Sequence, residues 1–250
     1  RPKCLTGLHY RSTKRIDTPI HKILLTLERF FYQQNWIKFM SHLIQKIDCI
    51  IEERSLLKHP FYQAWSDGKL TRESLVGYSK EYYQLVKAVP IFMTQLLDEA
   101  PKSSCDELDF NQQEEFSHIR LWERFAGGLG VSYEELSNYQ GLYKTNHAID
   151  GLHSLMTSFV SGSTAMYALE KEIPKISQTK LEGLAEFYGL TGEDITEYFK
   201  EHTEADIRHT ASWQRVIDGL SGYDQEIINA AESSVTCQNL LLDSCYEEYC

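Results

Sequence analysis

The sequence predicts an all-α protein, and three observations carry that reading. Apolar residues recur at helical spacing along most of the chain. Capping and stop signals fall about one helix length apart. No alternating apolar–polar pattern of the kind a strand needs rises above noise. The chain has 250 residues, 42% hydrophobic and 24% charged, with Gly 14 and Pro 6, which is ordinary for a globular protein and excludes collagen-like and proline-rich disordered classes. That length buries one substantial core, so a single helical domain built from long helices with short joints is expected.

The elements follow in order. Residues 1–18 are basic, with Arg1, Lys3, Arg11, Lys14 and Arg15 against Asp17, and read as a poorly ordered arm. Ile20 to Lys38 has helical spacing but sits awkwardly ahead of Met40, and the pattern becomes regular only from Ser41. Leu43, Ile44, Ile47, Ile50 and Ile51 place a helix from Ser41 onward. His59-Pro60 starts a short aromatic helix, Phe61 to Trp65, and Asp67-Gly68 is a turn. Thr71 caps a helix through Tyr78, Tyr82, Tyr83 and Val86, which Pro90 should kink. A helix from about Asp106 to Phe125 stops at Gly127-Gly128, and Ser132-Tyr133-Glu134-Glu135 is a capping box. One long helix is expected from about Asn146 to Glu172, with small residues through Ser158, Ser161, Gly162, Ser163 and Ala165. Leu181 to Tyr188 ends at Gly189, and Asp194–Phe199, Glu204–Leu220 and Asp224–Asp243 give the remaining helices.

Charge and motif content exclude several functions. A net charge of −11 argues against a nucleic-acid surface, which needs a basic face. The longest apolar-rich stretch, Ile20 to Met40, is interrupted by Lys22, Glu28, Arg29 and Lys38, so no membrane span is expected. The six cysteines lack CxxC or zinc-type spacing and read as reduced thiols of a cytoplasmic protein. No Walker loop, GxGxxG or GxSxG occurs.

The chemistry-bearing residues lie on three helices. His202, Asp206 and His209, at i, i+4 and i+7, share one helix face and suit a metal by type and spacing. Taken alone, that triplet is more often a solvated polar face. Glu114-Glu115-Phe116-Ser117-His118 offers a carboxylate three or four residues before an imidazole, the pattern of di-iron bundle helices. Glu170 follows a stretch of small residues and alone would be a surface glutamate. Together they make three carboxylates and three imidazoles, whose negative charge nearly balances two divalent ions. Without metal, clustering those carboxylates inside a bundle is prohibitively costly. The set predicts a dinuclear carboxylate–histidine site. Read from pattern alone, His59 is a helix-start residue, Tyr62, Tyr78, Tyr82 and Tyr83 are core aromatics, and Lys180 is a surface lysine.

A resemblance adds to this reading. Its anchors are Leu57 to Trp65 (LKHPFYQAW), Tyr78 to Tyr83 (YSKEYY), Lys87 to Pro90 (KAVP), His118 to Trp122 (HIRLW), Glu170 to Pro174 (EKEIP) and Glu201 to His209 (EHTEADIRH). At these residues the chain, from about Met40 to Asp243, resembles the family of the Chlamydia protein associating with death domains (CADD), which is heme-oxygenase-like and related to TenA and PqqC. The resemblance implies that residues 1–39 are an extension, disordered or partly helical, outside a single helical catalytic domain over 40–250. The resemblance implies a bundle of about seven core helices around a metal pair, Fe/Fe or Mn/Fe, that uses O2 and a reductant. It implies the ligands Glu170, His118, His202, Asp206, His209 and a glutamate before His118. In the family that glutamate stands seven residues earlier, where this chain has Asn111; a shortening of that spacing favours Glu114 over Glu115. It further implies formation of p-aminobenzoate for folate, with Tyr62 as the sacrificed carbon source, Lys180 as the amine donor and Tyr78 beside them. Leu169 replaces a further family tyrosine. Death-domain host proteins as partners, another TenA- or PqqC-like catalysis, a homodimer and secretion into a host are the remaining expectations.

Overall fold

The computed structural model describes residues 42–250, and the expected extension over 1–39, with its helix from Ile20 to Lys38, lies outside them. Leu43–Cys250 forms one unit. Its elements are α1 over 42–53, a 3-10 turn Leu56–Lys58, and helices α2 (Pro60–Ser66), α3 (Arg72–Leu97), α4 (Cys105–Gly128), α5 (Tyr133–Asn138), α6 (Tyr143–Leu155), α7 (Phe159–Glu170), α8 (Ile173–Glu186), α9 (Glu193–Asp218) and α10 (Asp224–Tyr249). No strand occurs among the described residues. The expected bundle is built by α3, α4 and α6 to α10, framed by α1, α2 and α5.

Local chemistry sets the boundaries. The His59 ring accepts the Phe61 amide hydrogen at 3.1 Å and caps α2, whose first residue is Pro60. Thr71 and Ser74 form a reciprocal capping box on α3, and Ser132 caps α5 by accepting from the Glu135 amide. Gly189 ends its segment with φ at +64°.

Pro90 sits inside a continuous α3, its carbonyl accepting from the Thr94 and Gln112 side chains. Three boundaries differ from the sequence reading. The helix read from Leu181 begins at Ile173, with Pro174 in its first turn. The helix expected over 146–172 is two helices: Ser158 leaves helical geometry and caps α7 through the Ser161 amide. The segments 194–199 and 204–220 are one helix, α9, because Lys200 to Thr203 keep the helical backbone. α9 packs on α4, α7 and α8, and α3 packs on α4, α7 and α10. Gly162 faces Leu96 so closely that a Cβ there would sit 2.3 Å from Leu96 Cδ2, so the α7 backbone packs directly on that α3 side chain. Among the described residues no helix is long and apolar enough to cross a membrane, and the five cysteines form no disulfide.

Candidate metal centre

Helical periodicity on α9 buries Tyr198, Phe199, His202, Ala205, Asp206, His209 and Trp213 on one side. On α4 it buries Leu108, Asn111, Glu115, His118, Trp122 and Phe125. Ion pairs fix the register of the two helices. Arg124 meets Asp194 and Glu197 at one end, Arg208 meets Glu114 midway, and Arg215 meets Glu107 at the other. The helices therefore run antiparallel, setting His118 beside His202, with ring centroids 4.2 Å apart, and Glu115 beside His209. Glu170, the last residue of α7, enters the same space.

Two overlapping groups result. Glu115, His118 and His202 bring one ligand atom each within 4.8 Å of one another, and so do Glu115, Glu170, Asp206 and His209. All six side chains are buried. Glu115 belongs to both groups, through Oε2 at 3.4 Å from His118 Nδ1 and Oε1 at 3.2 Å from His209 Nδ1.

The expectation that Glu114 fills this position is corrected. Adjacent helix residues point about 100° apart, and Glu114 points outward. Its side chain is 25% exposed and forms a fork with Arg208 at 2.9 and 3.0 Å. It still bears on the cluster, because its Oε2 lies 3.0 Å from His209 Nε2 while His209 Nδ1 faces Glu115 and Asp206. A carboxylate behind an imidazole in this way fixes ring orientation and tautomer. His202 is held similarly, with Nδ1 2.6 Å from the Tyr198 carbonyl oxygen, so Nε2 is left for the cluster.

Burial and charge pull these groups in different directions. Burial pushes the Glu170 carboxyl well above the usual carboxylate range. It pushes Glu115 up too, but His118 and His209 outweigh it and hold Glu115 well below that range. Burial lowers His202 and favours the neutral imidazole that ligates metal. In His209 burial is overcome by Asp206 and Glu115, which push the ring up to about 11.

Polar atoms in this space lack partners. Both Glu170 oxygens, Asp206 Oδ2, His118 Nδ1 and His209 Nδ1 are buried without a hydrogen bond, as are Asn111 Nδ2 and Trp213 Nε1 nearby on α4 and α9. Buried polar groups are normally satisfied, so orphaned lone pairs concentrated on one carboxylate–imidazole set fit cations. Three carboxylates and three imidazoles suit two divalent transition-metal ions, with positions left open for a small ligand.

Beside the cluster lies a cavity of about 30 Å³, lined by Glu115, Glu170, His202 and Asp206 and by the apolar wall of Val86, Val89 and Leu169. Tyr82 closes another side. Its ring lies 5.2 Å from that of Tyr78, and the Tyr78 hydroxyl is 3.3 Å from the Tyr62 hydroxyl. Lys180 is 3% exposed, so the surface position read from pattern is corrected; α8 turns it into the aromatic core. Its Nζ lies 2.5 Å from the Tyr78 hydroxyl, 4.8 Å from the Tyr62 ring centroid and 4.9 Å from those of Tyr78 and Tyr82. Burial pushes the amine down to about 7, while ring faces favour its charged form. Burial raises the Tyr62 and Tyr78 phenols well above their ordinary value.

Of the residues singled out from sequence, His118, Glu170, His202, Asp206 and His209 converge, and Tyr62, Tyr78 and Lys180 form a second cluster behind Tyr82. Glu115 replaces Glu114 in the first cluster. Sequence reading gave no role to Tyr82 or to Tyr198, which stacks 4.0 Å from His202. Helical spacing alone makes both look like core.

This architecture defines a class. The chain belongs to the heme-oxygenase-like family of iron-containing redox enzymes, whose family model matches residues 77–239, and it is an oxidoreductase of that family. Among curated relatives, the 4-aminobenzoate synthase of Chlamydia muridarum is 34% identical over 202 residues, 78% of this chain and 86% of that protein. The 4-aminobenzoate synthase of Nitrosomonas europaea is 30% identical over 225 residues, covering 82% and 92%. Two solved structures share the fold at 17% identity. A TenA homologue from Pseudomonas syringae has a TM-score of 0.71 and covers 83% of this chain and 92% of its own. A CADD-like protein from Nostoc punctiforme has a TM-score of 0.67 and covers 85% and 100%.

Proposed function

We propose that this chain is an O2-dependent, dinuclear-metal 4-aminobenzoate synthase that consumes its own Tyr62 as the ring and draws the amine from Lys180. Glu115 would bridge two ions, with His118 and His202 on one and Glu170, Asp206 and His209 on the other. When bound, the metal pair supplies O2 activation, the oxidising power that side chains lack.

The chain's own residues hold the reactants. The observation that carries the reading is Lys180 Nζ held over the Tyr62 ring inside a sealed aromatic cluster. An amine lowered to about 7 is about half free base, and so available as a nucleophile, at neutral pH, unlike an exposed lysine. Phe61 and Tyr78 pack against the Tyr62 ring, with centroids 5.9 and 6.4 Å away, and keep it from turning. The Tyr78 hydroxyl touches both the Tyr62 hydroxyl and the Lys180 amine and so offers a proton path between them. Cavity size also favours an internal substrate. About 30 Å³ holds a small diatomic or a water or two, whereas a benzene-sized guest needs about 150 Å³.

Protein loaded with iron and given reductant and O2 should release 4-aminobenzoate and lose mass at Tyr62. With ¹⁵N-lysine-labelled protein the product should carry ¹⁵N. Undiminished product from Tyr62→Phe, or unlabelled product, would sink the self-sacrifice reading.

A further inference from the structure

We infer that α2 is the gate through which the aromatic product leaves, and that loss of the Tyr62 ring is what unlatches it. This rests on the self-sacrifice reading above.

α2 is the thin part of the wall around the aromatic–lysine cluster. It has seven residues, whereas α8, α3 and α10 have 14, 26 and 26. Pro60, Gln63 and Ser66 are exposed, so on that side a single helix separates Tyr62 from water. A helix this short does not hold itself together and depends on what its inner face packs against. That face is three buried rings, Phe61, Tyr62 and Trp65. Few polar bonds tie it to the rest of the chain. His59 Nε2 donates to the half-exposed Asp243 at 3.0 Å, the Trp65 indole to the Lys180 carbonyl at 3.3 Å, and the Tyr188 hydroxyl to the Trp65 carbonyl at 3.4 Å.

Both ends of the segment are fastened without Tyr62. Ahead of α2, the Ser55 hydroxyl and the Leu56 amide donate to the Glu172 carboxylate at 2.5 and 3.0 Å. Behind it, the Thr71–Ser74 capping box fixes the start of α3. Residues 59–68 therefore form a strap held at two points and pressed down mainly by its three rings. Removing one ring leaves a void beneath it, and truncating a buried aromatic costs the closed state about a hundredfold or more in population.

The product's own shape points the same way. The Tyr62 hydroxyl end lies inward, against the Tyr78 hydroxyl, and its Cβ end is on α2. Amine and carboxylate are para in 4-aminobenzoate, so an amine formed at the inner end leaves the carboxylate at the α2 end. A carboxylate is costly to keep among aromatic walls, and α2 is the wall beside it. The gate thus stays shut, excluding water, until the ring that latches it has become the product.

The test reads backbone hydrogen exchange by mass spectrometry over 59–68 and over α4 in the full chain. Metal-free wild type is compared with Tyr62→Ala, Tyr62→Leu, Tyr62→Phe and Phe125→Ala, the last emptying an equally buried position on α4. Tyr62→Ala should exchange about a hundredfold or more faster over 59–68 while α4 keeps its protection. Tyr62→Leu should fall between, and Tyr62→Phe and Phe125→Ala should keep 59–68 as in wild type. Wild type given iron, reductant and O2 supplies the second reading. Chains that have lost mass at Tyr62 should show the same loosening, with 4-aminobenzoate free in the filtrate. Wild-type protection over 59–68 in Tyr62→Ala or in the spent chains, or equal loosening in Phe125→Ala, would overturn the gate and leave the self-sacrifice reading standing. No mass loss at Tyr62 in the wild type would overturn both.

Discussion

Replacing Glu115 or its neighbour Glu114 by alanine separates a carboxylate that belongs to both candidate ligand groups from one that lies behind a single imidazole. Glu115 reaches the imidazoles of both groups, at 3.4 Å from His118 and 3.2 Å from His209. On the proposed reading, losing it would remove one negative charge from the neighbourhood of both ions at once. A unit charge pair about 4 Å apart at an effective dielectric of about 20 is worth about 4 kcal/mol, or about a thousandfold in affinity, and a divalent ion raises it. Glu114 touches only the outer nitrogen of His209, at 3.0 Å. Removing such an outer partner weakens metal binding by about 10–100-fold, and only at the ion His209 serves. Titration of metal-free protein with Fe(II) or Mn(II) against a chelator of known affinity, followed by metal analysis, reads both effects. Glu115→Ala should lose both ions under conditions in which Glu114→Ala keeps at least the one held by His118 and His202. An empty Glu114→Ala beside a loaded Glu115→Ala would refute the bridging assignment and restore Glu114 to the ligand set.

The other predictions concern stability and site integrity. Lys180→Met should stabilise the metal-free protein at pH 7. The amine falls from 10.5 unfolded to about 7 folded, so the unfolded chain binds more protons and burial of Lys180 costs up to about 4 kcal/mol there. Because that penalty fades as pH rises from 7 toward 10.5, wild-type stability by urea unfolding should climb over this window, and the Met variant should lack that component of the climb. Glu81→Ala should destabilise by about 3 kcal/mol or more, since this buried carboxylate accepts from the Tyr139 and Tyr249 hydroxyls and the Leu142 amide; a loss below about 1 kcal/mol in urea unfolding would contradict that role. Asp206→Ala combined with His209→Ala should abolish metal binding at the group they share with Glu170, and full metal occupancy in that double variant would contradict the site.

Most of the buried carboxylate–imidazole cluster was legible because helix geometry is regular. His202, Asp206 and His209 share a face at any helix length, and the structure adds only that the face is buried. The choice between Glu114 and Glu115 was also readable on α4. Glu115 stands seven residues after Leu108 and seven before Trp122, both buried, so the apolar stripe itself carries it inward. Other features depend on contacts between segments that sequence spacing does not encode. Lys180 is buried because α8 packs on α2 and α9, with Gly183 so close to the Trp65 indole that a Cβ would lie 2.7 Å from it. The break between α6 and α7 turns on Ser158 finding both the Ser161 amide and Glu226; within a run of small residues either a helix or a cap fits.

The two clusters answer different physical demands, and their separation follows from that. Metal ligands must be charged or strongly polar and must converge, which only opposed helix faces with matched register provide. If Tyr62 is the reacting ring, as proposed, it must be shielded from water and from side reactions, which requires apolar walls. One cavity cannot satisfy both demands around the same atoms, because carboxylates without cations are costly beside apolar walls. The chain keeps them apart with a layer one ring thick, Tyr82 and Trp122, whose centroids are 4.9 Å apart. On the metal side that layer meets Glu115 and Asp206, and on the other it meets Tyr78 and Lys180. A substrate arriving from solvent would need a channel through this layer. On the proposed reading a tyrosine of the chain itself needs none, and a cavity of about 30 Å³ has room for O2.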